Sequence, residues 1–87
     1  IGTGVLKGGA ILSGWSHYEA GHLLIRRDPA RDGFAGLCPY HGDCLEGIAS
    51  GPAIQARWGH DLSQANTEEV ALVADYIAQL AAALVLL

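Results

Sequence analysis

Residues 38–44 read Cys-Pro-Tyr-His-Gly-Asp-Cys. Cys38, His41 and Cys44 are three metal-ligating side chains within one short stretch, and Pro39 and Gly42 favour the tight turn that points them at a common centre. Zinc takes four ligands in a tetrahedron, commonly thiolate sulfur and imidazole nitrogen. The fourth must come from elsewhere, and His22 and His17 are the candidates. A closed set of two cysteines and two histidines leaves no position for water, so such an ion would be structural. It would supply about 10–16 kcal/mol of apparent binding energy. Two other readings fit the same residues: a short-loop Cys38–Cys44 disulfide, or free buried thiols beside a surface His41. No basic region followed by an apolar run opens the sequence, so a reducing compartment is expected, where such cysteines more often bind metal.

Outward from this knuckle, Leu45 to Ala49 predicts a short helical turn. Ser50 or Gly51 then caps a second helix, with Pro52 at its first position and Gly59 at its stop. Residues 60–66 read as a polar link. Asn66 and Glu69 have capping-box spacing, and Glu68 and Glu69 suit the positive end of a helix. Val70, Val73, Ile77, Leu80, Leu84 and Leu87 follow at helical spacing and predict one buried face, with Asp75 and Gln79 opposite. Beyond Leu80 the helix is apolar all round, which predicts burial on every side.

On the other side of the knuckle, residues 27–36 predict a polar surface loop, and His22–Arg26 a short strand. Residues 15–21 read as a loop. Residues 1–14 alternate glycines with short apolar runs, which predicts a β-hairpin. Gly2-Thr3-Gly4 could present backbone N–H groups and a hydroxyl to a phosphate, although glycine-rich turns are common. Glu19 and Glu46 could accept hydrogen bonds from sugar hydroxyls or simply be solvated.

The composition limits the rest. The chain has 87 residues, enough for one small domain. Five Lys and Arg against nine Asp and Glu give a net charge of −4, which argues against nucleic-acid binding. With 51% hydrophobic and 16% charged residues, disorder is not expected. The longest apolar tract, Leu80 to Leu87, is far short of the about 20 residues of a membrane span. No methionine is present, so a processed chain or a piece of a longer protein is expected.

Taken in order, Gly2-Thr3-Gly4, Glu19-Ala20-Gly21-His22, the knuckle running into Cys44-Leu45-Glu46-Gly47, and Ala49-Ser50-Gly51-Pro52-Ala53 resemble the ROK family of repressors and sugar kinases. The knuckle together with Ala49 to Trp58 resembles the family's bacterial fructokinase branch, and so does the Asp75–Gln79 helix. The resemblance implies an α/β fold, a fragment of an actin-like/RNase H-like ATPase lobe: glycine-rich hairpin, zinc-knuckle loop, then helices. One partial domain is expected over residues 1–87, divided into a phosphate-turn hairpin (1–14), a sugar and zinc loop (15–47) and a helical region (48–87).

The resemblance further implies Mg-ATP as phosphoryl donor and fructose as acceptor. Gly2, Thr3 and Gly4 match the ATP phosphate-binding motif. Glu19 and Glu46 match sugar-binding carboxylates. His22, Cys38, His41 and Cys44 match ligands of a structural zinc that shapes the sugar site. No residue here matches the catalytic base, so the segment alone is expected to be inactive. The family usually has glycine where Leu6 follows Val5, and Gly4 to Glu19 is shorter than its usual spacing. A cytoplasmic protein is expected, with no nucleic-acid or membrane partner and a possible homodimer in the full-length form. A segment of a ROK repressor is the alternative, although the repressors' CxCGxxGC-type knuckle is not the one spelled here. A free-standing zinc-stabilised module is another.

Overall fold

The computed structural model describes residues 1–86. Its elements are β1 (Leu6–Lys7), β2 (Ala10–Ile11), a 3-10 turn (Ala20–His22), α1 (Leu45–Ala49), α2 (Gly51–Trp58), a second 3-10 turn (Leu62–Gln64) and α3 (Thr67–Val85). A two-strand hairpin followed by helices is compatible with an α/β fragment.

The hairpin forms where the glycines predict it. Gly8 and Gly9 have φ of 59° and 79°, and two consecutive positive values suit the tight turns that match strand twist. Leu6 pairs with Ile11 and Lys7 with Ala10. The hairpin carries no core: Leu6 is 73% exposed, and Ile11 and Trp15 are also exposed.

The helices follow their caps. The Ser50 hydroxyl accepts from the Ala53 N–H, and Gly59 closes α2 in the left-handed conformation at φ 75°. α2 begins at Gly51, one residue before Pro52, so the proline occupies the second helical position, where its missing N–H still costs no helix bond. The polar link contains the second 3-10 turn, capped by Asp61. Asn66 and Glu69 complete the capping box at the start of α3.

The core joins Leu45, Ile48 and Ala49 of α1 to Ile54 of α2 and Leu72, Val73, Tyr76 and Leu80 of α3. Leu45 and Ile48 are fully buried, which is worth about 1.5–3 kcal/mol for each side chain.

Several expectations are corrected. The inward face of α3 is rotated: Leu72 and Tyr76 join Val73 and Leu80 inside, while Val70, Ile77 and Leu84 are exposed. The turn beyond Leu80 is not buried on every side, since Val85 and Leu86 are exposed, and Leu87 lies outside the described residues. His22–Arg26 is no strand. His22 ends a 3-10 turn, and the extended segment after it is held by a side chain: the Arg26 N–H donates to Gln79 Oε1 (2.7 Å), and Gln79 Nε2 donates to the Arg26 carbonyl (2.9 Å). Gln79 therefore belongs to a packed contact and not to a solvated face. The 27–36 loop is not all surface either, because Asp32 is only 7% exposed. Among the described residues, no helix is long and apolar enough to cross a membrane.

Candidate functional site

The knuckle is a short antiparallel bridge. Cys38 N–H donates to the Gly42 carbonyl (3.1 Å), and Gly42 N–H donates to the Cys38 carbonyl (2.9 Å). Gly42 makes the reversal at φ 69°. Its carbonyl fits a notch between two further glycines. A Cβ on Gly36 would lie 2.2 Å from that oxygen, and one on Gly47 would lie 2.0 Å from it. The glycine of the Cys-Leu-Glu-Gly stretch is thus required by close backbone approach. The Leu45 N–H donates to the Leu23 carbonyl (2.9 Å), which ties the segment after His22 to the start of α1.

This framework brings His22, Cys38, His41 and Cys44 together, with their donor atoms all within 4.8 Å of one another. The two imidazole Nδ1 atoms are 3.3 Å apart. Cys38 Sγ is 3.4 Å from His22 Nδ1 and 3.6 Å from His41 Nδ1, and Cys44 Sγ is 3.5 Å from His22 Nδ1. Ligands at zinc's bond lengths around a tetrahedral centre would be about 3.3 Å apart for two nitrogens and about 3.6 Å for nitrogen and sulfur. The set could hold one four-coordinate ion, and its donor chemistry suits a borderline-soft metal. Both cysteines are free. Burial opposes ionisation of Cys38, but the His41 and Tyr40 backbone N–H groups, with the Cys44 thiol and the His41 ring, bring its pKa down to about 7. Burial pushes the Cys44 thiol up, and its coupling to Cys38 adds to that. His17, the other candidate fourth ligand, pairs with Glu19 instead.

Cys44 is the N-cap of α1, so Glu46 sits in the first turn of a helix that starts at a metal donor. Its carboxylate meets the backbone nitrogen of Ile1. The Ile1 carbonyl in turn lies against Gly21, where a Cβ would stand 2.3 Å from that oxygen. Ile1 is thereby laid beside Gly21 and Glu46. Gly2 and Gly4 face open space, and Thr3 Oγ1 is buried with no partner among the described residues. Glu19 is exposed, and no hydrogen bond links it to Glu46 among the described residues.

A second polar cluster escapes the sequence reading. The Asp32 carboxylate accepts from Arg27 Nη2 (3.0 Å), Arg57 Nε and Nη2 (3.2 and 3.1 Å), the Tyr76 hydroxyl (2.7 Å) and the Phe34 N–H (3.1 Å). Burial alone would raise its pKa. The Tyr76 hydroxyl, the Phe34 N–H and the two guanidinium groups outweigh that and hold it below the usual carboxylate value. Arg57 lies over the Phe34 and Trp58 rings, 4.6 and 4.9 Å from their centroids. One signal was available in the sequence: Arg57 beside Trp58 in a short helix that also supplies Ala53 and Ile54 to the core.

Similarity to known proteins runs along nearly the whole chain. The sequence profile described as "ROK family" matches residues 1–86. The chain is 50% identical over its whole length to a putative fructokinase of Bacillus subtilis, covering 29% of that protein. It is 42% identical over 93% of its length to a fructokinase of Streptococcus mutans, again covering 29% of the relative. With a fructokinase of Zymomonas mobilis it shares 44% identity over 90% of the chain and 26% of the relative. The chain thus spans less than a third of the curated relatives it matches. The profile match over residues 1–86, with relatives at 40–50% identity, establishes that the chain belongs to the ROK family.

Proposed function

We propose that the chain is a segment of an ATP-dependent fructokinase of actin-like fold, with a structural zinc shaping its sugar site. One observation carries the reading: four donors able to hold one ion converge where Cys44 caps the helix that bears Glu46. His22, Cys38, His41 and Cys44 would hold the ion, which supplies a rigid cross-link and no reaction step. Glu46 and Glu19 would accept hydrogen bonds from sugar hydroxyls. Gly2, Thr3 and Gly4 would present N–H groups and a hydroxyl to phosphate, with Mg-ATP as donor. Phosphoryl transfer depends on positioning and electrostatics more than on covalent participation by the protein, so a fixed loop beside the sugar is of direct use. None of these residues is proposed as the base that deprotonates the sugar, so the segment by itself would be inactive. The three-part division of residues 1–87, a cytoplasmic location, no nucleic-acid or membrane partner and a homodimeric parent belong to the same proposal.

The test uses the full-length protein, purified without a metal-binding tag. Elemental analysis should find one zinc per chain, and a coupled assay should show magnesium-dependent transfer from ATP to fructose. Absence of zinc would remove the metal reading. Zinc without phosphorylation of fructose would remove the kinase reading.

A further inference from the structure

We propose that Asp32 is a positioning residue for the metal knuckle and for the helix that carries Glu46, an inference that rests on the proposed kinase reading. Three routes lead from its carboxylate to the knuckle. Along the chain, Asp32 Oδ1 accepts from the Phe34 N–H and fixes the approach to Cys38, while the Leu37 N–H donates to the Gly47 carbonyl (2.9 Å). Through Arg27, Asp32 reaches Asp43, which stands between His41 and Cys44: Arg27 Nη1 lies 3.5 Å from Asp43 Oδ2. Through Arg57, it reaches the far end of α1, where Arg57 Nη2 also donates to the Ile48 carbonyl (2.7 Å).

Tyr76 anchors the same carboxylate to α3. The loop, α2 and α3 therefore share one buried acceptor, and α1 is tied to it through Arg57. Arg27 Nε and Arg57 Nη1 are buried without a partner among the described residues, and Asp32 is the carboxylate that pairs with both guanidinium groups. Without it the two guanidinium groups face each other, and the contacts to Asp43 and Ile48 lose their fixed origin. Asp32 touches none of the four metal donors and acts on them only through these contacts.

The experiment compares three full-length proteins: wild type, Asp32→Asn, and an Asn66→Ala control whose lesion is at the exposed cap of α3, away from the cluster. Zinc release to a chromogenic chelator is followed well below the unfolding temperature, and fructose kinetics are measured on each. Asp32→Asn should release zinc about tenfold faster, the scale on which outer groups affect metal affinity. Its KM for fructose should rise severalfold with kcat nearly held, while Asn66→Ala loses thermal stability without either change. Equal zinc release and equal KM in the two variants would overturn the proposal. Should Asp32→Asn fail to fold, Arg27→Lys keeps the positive charge but shortens the reach towards Asp43. Faster zinc release from that variant supports the inference, and wild-type release overturns it. A wild type that binds zinc without phosphorylating fructose strikes the kinase reading alone, because the zinc-release comparison is read independently of the sugar.

Discussion

Two polar clusters bracket α1, and they are built on opposite terms. At its start, two thiols and two imidazoles converge with no cation of their own among them. At its end, one carboxylate accepts hydrogen bonds from two guanidinium groups and a phenol. The first could take an ion from solution between its converging lone pairs. The second draws its charged partners from the chain itself. A helix of five residues could not hold its shape alone, since isolated helices shorter than about 12 residues are marginal in water. Fixing both ends lets so short an element present Glu46 in a defined direction.

Mutations can break this contrast at either end. The largest effect belongs to the metal end. Cys44→Ser in the full-length protein should abolish stoichiometric zinc and remove most of a binding energy of about 10–16 kcal/mol. Hydrogen exchange should then show residues 22–49 losing protection together, whereas uniform protection would mean that the ion is not what holds the knuckle. At the other end, Asp32→Ala leaves two buried guanidinium groups uncompensated. Denaturant unfolding should show a loss of about 3–5 kcal/mol, the usual consequence of removing one side of a buried pair.

Acid separates the two clusters without mutation. Asp32 has a folded pKa below its ordinary value of 3.8, with Arg27, Arg57 and Tyr76 facing it. Below that ordinary value the unfolded chain binds the extra proton, so stability falls as pH drops through the folded pKa. Metal is lost earlier, because protons compete for the thiolates and imidazoles. Zinc release should therefore precede the loss of tertiary signal in an acid titration, and a single coincident step would show that the ends are not independent. Tyr76→Phe removes one donor of several and should cost about 1.5 kcal/mol, near the lower bound for a hydrogen bond to a charged group. The smallest change is Asn66→Ala, which removes half of the α3 capping box, with an expected loss of about 1 kcal/mol by thermal unfolding.

The same contrast explains what could be read from the sequence. The knuckle was legible because three of its donors fall within seven residues and its turn residues name the geometry. The α2 and α3 starts were legible because caps are local. Asp32 was not, because its partners come from up to 44 positions away and an aspartate in a polar loop has no local mark of burial. That omission propagated: apolar periodicity alone places Ile77 inward, but Ile77 is 44% exposed because the α3 face turns to bring the Tyr76 hydroxyl to Asp32. The hairpin was legible from Gly8 and Gly9, yet nothing local says what its apolar side chains meet.

The Gln79 clasp on Arg26 has a chemical consequence. The side-chain amide donates through one arm and accepts through the other, so it occupies both free groups of an extended backbone as a neighbouring strand would. Spontaneous deamidation at this position would replace the donating nitrogen with an oxygen and set it against the Arg26 carbonyl, turning one attraction into repulsion. A segment held this way ages by a single atom: hydrolysis of one amide would loosen the tie between the stretch after His22 and α3.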